Sequence, residues 1–136
     1  MEVCLCHHLR RTARAMTRIF DEALQPAGLS AGQFTILAAV AARDITSAGE
    51  ISSLLAMDRT TLSRNLKPLR QAGLLVTAGG AGRRPDQLSL TAAGMVALNQ
   101  AGGLWQQAQG QITQRLGSGT AGLLLQSLDA ADRAAR

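Results

Sequence analysis

The stretch SAGEISSLLAMDRTTLSRNLKPLRQAGLLVTAGGAGRRPDQLSLT, residues 47–91, constrains the fold more than any other part of the chain. It opens on Ser47-Ala-Gly-Glu50, the spacing of a capping box, in which hydroxyl and carboxylate each serve a backbone N–H left over at a helix start. Ile51, Leu54 and Leu55 are the buried positions expected of the short helix that follows, and Ala56-Met57 reads as a turn. Asp58 is a good N-cap for a second helix. There Leu62, Leu66 and Leu69 recur at i, i+4 and i+7 and point inward. Pro68 lacks a backbone donor and predicts a bend late in that helix. Gly73 closes it. Leu74–Thr77 and Gln87–Leu90 read as short strands joined by the glycine-rich tip Gly79–Asp86, which carries Arg83 and Arg84. Helix, turn, helix and a two-stranded wing is an order suited to duplex DNA.

On the N-terminal side, Leu5, Leu9, Ala13, Met16, Phe20 and Leu24 form one stripe of a helix predicted from Val3 to Leu24, with Arg10, Arg11, Arg14, Arg18, Asp21 and Glu22 on its other faces. Pro26 and Gly28 stop it. Ser30-Ala-Gly-Gln33 is a second capping box and starts a helix through Arg43, with Phe34, Leu37 and Val40 on its buried face. Ile45-Thr46 is long enough only for a short strand. Thr91 caps a long helix bearing Met95, Leu98, Leu104, Trp105, Ile112 and Leu116, whose glycines weaken its intrinsic propensity. Ser118–Thr120 is expected to break the chain before a last helix carrying Leu123, Leu124, Leu125 and Leu128. The end helices hold more apolar surface than a small winged helix can cover, which predicts pairing with a second copy.

A chain of 136 residues suits one domain with one main core. Phe20, Phe34 and Trp105 are its only aromatics, so alanine, leucine and glycine do most of the packing. Fourteen Lys and Arg against nine Asp and Glu give a net charge of +5, which favours a polyanionic partner. Six of the fourteen (Arg59, Arg64, Lys67, Arg70, Arg83, Arg84) fall in the second helix of the motif and the wing. No apolar run reaches membrane length, and Cys4–His8 is followed almost at once by Arg10 and Arg11, unlike a signal peptide. A cytoplasmic protein without membrane contact is expected. No nucleophile–base–orienter set stands out, and GGAGRRPD joins strand to strand rather than strand to helix, so it makes a poor nucleotide loop. Neither enzymatic activity nor a cofactor is expected.

These elements resemble the MarR family of winged-helix transcription regulators over essentially the whole chain. DRTTLSRNLKPLRQAGLL (Asp58–Leu75) resembles the family's recognition helix. RRPDQLSLTAAG (Arg83–Gly94) resembles its wing end, where an arginine pair precedes a strand and a Leu-Thr-x-x-Gly helix start. Gly82 stands where the family often has an acidic residue. The resemblance implies a mainly α fold with a small β-wing: a winged helix-turn-helix over residues 30–91, flanked by dimerisation helices at 1–29 and 92–136. It also implies a homodimeric regulator, usually a repressor, that binds a palindromic operator in double-stranded DNA and is released by a small-molecule or oxidant effector.

The side chains suit that role. Arg59, Thr60, Thr61, Ser63 and Arg64 occupy the first turns of the recognition helix, the part presented to base edges. Arginine grips guanine O6 and N7 with two hydrogen bonds, and a threonine methyl meets that of thymine. Arg59 lies nearer the leucine stripe and has to reach outward along its stem. Lys67 and Arg70 are placed for phosphate, and Arg83 or Arg84 for a narrow minor groove. The capped start of the preceding helix offers backbone N–H groups to another phosphate. Between the winged helix and the dimer helices, Met16, Phe20, Phe34, Leu37 and Trp105 are candidates for an effector pocket and equally good core residues. A protein-binding winged helix without DNA specificity is the alternative that the same fold permits.

Cys4-Leu5-Cys6-His7-His8 leaves three readings open. Two thiolates and imidazoles suit a soft metal, although residues two apart lie about 200° around a helix and match no standard zinc spacing. The segment also resembles the peroxide-sensing OhrR branch. Counting back from Phe20, Cys6 falls near that branch's reactive cysteine, but this chain has no tyrosine to hold a thiolate, and Phe34 stands in the corresponding stretch. A helix N-terminus and nearby His7, His8, Arg10 or Arg11 still favour the thiolate, and Cys4 could resolve a sulfenate at Cys6. In the third reading both cysteines are small apolar residues near the dimer seam.

Overall fold

The computed structural model describes residues 3–44, 46–77 and 87–136. Its elements are α1 (Leu5–Leu24), a 3-10 turn (Gln25–Ala27), α2 (Ala31–Arg43), β1 (Thr46–Ser47), α3 (Ala48–Leu54), α4 (Arg59–Gln71), β2 (Leu75–Thr77), β3 (Gln87–Leu90), α5 (Ala92–Leu116) and α6 (Ser118–Ala135). The α-α-β-α-α-β-β-α-α order read from the sequence holds. Arg83, Arg84 and the rest of the wing tip (78–86), like Ile45, lie outside the described residues.

The core forms where the leucine rows meet. Ile36, Leu37 and Val40 of α2 are fully buried against Ile51 of α3, Leu62, Leu66 and Leu69 of α4, Leu75 of β2 and Leu88 of β3. Burying each such side chain stabilises the lobe by about 1.5–3 kcal/mol relative to leaving it exposed. The sheet is antiparallel in the order β1-β3-β2, with Thr46 opposite Leu88 and Leu75 opposite Leu90. The capping box of α2 is complete: Gln33 N–H donates to Ser30 Oγ, and Ser30 N–H donates to Gln33 Oε1.

The start of α5 is seated on the junction between α4 and β2. Thr91 N–H donates to the Leu74 carbonyl (3.1 Å), and Thr91 Oγ1 donates to the Gly73 carbonyl (2.6 Å) while accepting the Gly94 N–H (3.0 Å). A Cβ on Gly94 would stand 2.1 Å from the Leu74 carbonyl oxygen, so only glycine permits this approach. Further along α5, Ala101 and Ala108 are buried, and Trp105 lies between Phe20 of α1 and Phe34 of α2.

Several expectations need correction. The first helix begins at Leu5, with Cys4 on extended backbone before it. Leu54 is half exposed, because a seven-residue helix turns only Ile51 fully inward. The α3 box is half-formed: Glu50 N–H donates to Ser47 Oγ, but the Glu50 carboxylate instead accepts from Thr46 Oγ1 and meets Arg43. Phe34 is only half-buried beside fully buried Leu37 and Val40. The last break is Gly117 alone, at φ +84°, and Ser118–Thr120 already belongs to α6. The outer end of the α1 stripe, Leu5 and Leu9, is exposed, and α6 buries no residue. Leu5, Leu9 and Met16 line an apolar groove with Leu124 and Leu128 of α6.

Candidate nucleic-acid interface

The turn between α3 and α4 sets the orientation of the outward face. Leu55 N–H bonds back to Ile51, Ala56 N–H to Ser53 and Met57 N–H to Ser52, with Ala56 in the left-handed region at φ +49°. The Ser52 hydroxyl donates to the Met57 carbonyl. Leu55 and Met57 pack on the core from either side of this corner. The chain therefore leaves α3 and enters α4 along one tightly bonded path.

Asp58 closes the start of α4. Its Oδ1 accepts the Thr61 N–H at 2.7 Å and its Oδ2 accepts the Thr61 hydroxyl at 3.0 Å. The backbone hydrogen bond from Thr61 is the main reason that the Asp58 carboxyl is held below the usual aspartate range. The Thr61 side-chain bond and the Arg64 charge act in the same direction. This geometry sorts the predicted contacts. Thr61 is half-buried with its hydroxyl committed to the cap. Thr60, Ser63, Arg64, Lys67 and Arg70 are exposed. Thr60, Arg64 and Lys67, at i, i+4 and i+7, form the row opposite the buried leucines, and Arg70 stands to one side. Arg59 is exposed but lies back over α3, where a Cβ on Gly49 would be 3.8 Å from its Nη2.

Asn65 links α4 to α2. Its Nδ2 donates to the Thr61 carbonyl (2.9 Å), and its Oδ1 would stand 3.4 Å from a Cβ on Gly32. An amide three residues beyond a leucine carries no distinguishing sequence signal. At the start of α3, the phosphate position suggested by the capped helix has the Glu50 N–H already taken by Ser47 and the Glu50 carboxylate beside it.

The five pocket candidates are divided. Trp105 stacks between Phe20 (6.1 Å between centroids, 28° between planes) and Phe34 (5.9 Å, 25°). Leu37 is core, and Met16 faces the groove between α1 and α6. Cys4 and Cys6 are free and exposed. Cys4 sits on extended backbone (φ −81°, ψ 102°) outside the helix, so helical spacing does not hold the two thiols apart. His7 meets His8 edge-on at 5.7 Å, and Arg11 Nη2 lies 3.3 Å from His8 Nδ1. Among the described residues no three His, Cys, Asp or Glu side chains converge on a possible metal position. No described helix is long and apolar enough to cross a membrane.

This architecture has close counterparts among solved structures. The transcriptional regulator MosR of M. tuberculosis, solved in complex with DNA, shares 34% identity with this chain over 98% of both, at a TM-score of 0.81. The transcriptional repressor CouR, solved bound to p-coumaroyl-CoA, shares 27% identity over 96% of this chain and 92% of its own, at a TM-score of 0.87. A mutant of MarR from E. coli complexed with operator DNA shows the same fold at 21% identity, over 95% and 94% of the two chains and a TM-score of 0.84. Comparison with curated protein sequences gave no match. The profile of the MarR family matches residues 27–84, the segment that holds α2, the helix-turn-helix and the first wing strand. With that match and a third of its residues shared with a regulator along nearly its full length, the chain belongs to the MarR family.

Proposed function

We propose that this protein is a homodimeric transcriptional repressor that reads an inverted repeat in duplex DNA through α4. One observation carries the reading: Thr60, Arg64 and Lys67 stand outward in a row, fixed from behind by Leu62, Leu66 and Leu69, which are at most 3% exposed. A rigid polar row on a buried apolar base is what a base-reading helix needs, because reading requires a fixed register. Arg64 and Thr60 serve as base contacts, with Ser63 at their edge. Lys67 and Arg70 contact phosphate, and Arg83 or Arg84 of the wing serves a narrow minor groove. Arg59, lying back over Gly49, is placed for the backbone rather than a base. The Asp58 cap keeps Thr61 structural, so Thr61 contributes by holding the helix start.

The helices at 1–29 and 92–136 form the subunit contact. Their exposed leucines, among them Leu5, Leu9, Leu123 and Leu125, supply the apolar surface that a second copy covers. A small-molecule effector acts at the Phe20–Trp105–Phe34 stack, where α1, α2 and α5 meet. The exposed pair Cys4 and Cys6 favours a second mode of release, by peroxide oxidation of the thiols.

The test is a mobility shift on the DNA flanking the gene, with and without reductant, peroxide and small phenolics. The expected result is a complex that weakens steeply as salt rises. A dimer that shows no salt-sensitive shift on any duplex would instead mark a protein-binding module.

A further inference from the structure

Arg10, Arg14 and Arg18 recur at i, i+4 and i+8 on α1 and share one face, with Arg11 at its edge. All four are exposed. Arg11, Arg14 and Arg18 line a shallow depression with Ala13 and Thr17. The two ion pairs among the described residues, Arg43–Glu50 and Arg136–Asp132, lie elsewhere. Like charges one helical turn apart destabilise a helix, so this row carries a local cost that an anion from outside would relieve.

A second copy of the chain does not supply that anion. Of its nine acidic residues, Glu50 meets Arg43, Asp132 meets Arg136, Asp58 caps α4, and Asp21 accepts the Ala31 N–H. Glu2, Asp44, Asp86 and Asp129 are scattered along the chain, Glu22 lies four residues beyond Arg18 and serves only that end of the row, and no helix offers three carboxylates along one face. Duplex DNA matches better, in sign and in position. The row runs into the reading lobe: Asp21, three residues beyond Arg18 on the same face, accepts the Ala31 N–H at 2.7 Å and ties α1 to the start of α2. The next residue, Gly32, lies against Asn65 of α4. From Arg10 to Arg18 the row spans about 12 Å, several phosphates of one strand at about 3.4 Å axial rise each.

We propose that the Arg10–Arg14–Arg18 face of α1 grips the sugar-phosphate backbone of the same duplex that α4 reads. This rests on the DNA-binding reading above and adds a sequence-independent clamp to it. The test measures affinity of the full-length dimer, by fluorescence anisotropy over a range of salt, for a duplex that the protein itself has selected from a random pool. The variant carries Arg10→Gln, Arg14→Gln and Arg18→Gln together. Each phosphate contact adds about 0.9 to the slope of log affinity against log salt, so one to three contacts per subunit lower the dimer's slope by about 2 to 5. The preference for the selected duplex over a scrambled one stays unchanged.

A slope equal to that of the unmodified protein overturns the clamp. So does a variant whose only change is a weaker dimer by sedimentation, which would assign the face to the subunit contact. If the unmodified protein shows no salt-dependent binding to any duplex, the DNA reading itself falls and the clamp with it.

Discussion

Gly94→Ala isolates one contact on which the reading lobe depends. In an exposed helix interior, replacing glycine with alanine stabilises by about 1 kcal/mol through helix propensity. At Gly94 that gain is opposed by a clash, because the new Cβ would lie 2.1 Å from the Leu74 carbonyl oxygen and 2.8 Å from Leu90 Cδ2. Relief requires a separation larger by about 1 Å. The Leu74 carbonyl cannot simply retreat, since it also accepts the Thr91 N–H. Overpacking of this kind costs about 1–3 kcal/mol, and more where backbone has to move. The net effect is destabilisation by about 2 kcal/mol, a fall in Tm of roughly 5–10 °C. Gly103→Ala is the control, because its Cβ would meet nothing within 4 Å and it should be neutral or stabilising. Thermal and urea denaturation at one fixed protein concentration measure both, since a dimer's stability depends on concentration. If Gly94→Ala is as stable as the parent, α5 is not seated on the α4–β2 junction in the way described.

Arg64→Ala should cost about 1–3 kcal/mol on the preferred duplex and erase the preference at one base position, whereas Lys67→Ala should weaken all sequences alike and lower the salt slope by about 1 per contact; competition titrations with single-base variants separate the two. The Asp58 carboxyl should titrate below the ordinary aspartate range by NMR. Because its folded pKa is depressed, its contribution is present above the unfolded value near 3.9 and is lost as pH falls through the folded one. Asp58→Asn should therefore flatten that acid-limb dependence while keeping a cap, and an unchanged acid limb would refute the assignment. Trp105→Ala removes the ring between Phe20 and Phe34 and should destabilise by on the order of 3 kcal/mol, read by denaturation.

Much of this arrangement was legible in the chain because it rests on spacing. The Leu62, Leu66 and Leu69 row, the Ser30–Gln33 box, the Asp58 cap and the long helix after Thr91 all appear where periodicity and cap chemistry put them. What the sequence hid depends on competition between partners. Glu50 could serve Ser47 or turn to Thr46 and Arg43, and only the fold puts the latter within reach. Thr61 looked like a contact residue, yet the carboxylate that caps its N–H also takes its hydroxyl. Leu54 looked buried because its spacing from Ile51 is helical, but so short a helix has no second layer above it. Gly94 looked like one more weak point in a glycine-rich helix, and its reason is a carbonyl that sits 20 residues earlier in sequence. At the candidate interface the outward row and the place of Arg59 nearer the leucine stripe were readable, whereas Gly49 as the residue that Arg59 lies over was not.

The 25-residue α5 is a long rod that joins the reading lobe to the far helices. Its first turn is clamped at Gly73 and Leu74, and Trp105 rests on Phe20 and Phe34 thirteen residues further on. The arm between these points is about 20 Å long. A swing of about 10° about the tryptophan would carry the clamped end through roughly 3–4 Å, since a helix rises about 1.5 Å per residue. Two such arms in a pair would change the distance between the reading heads by up to twice that, while the grooves they must enter stay about 34 Å apart. On the proposed reading, an effector bound at the aromatic stack would in this way convert its occupancy into loss of fit on DNA without altering any side chain that touches it.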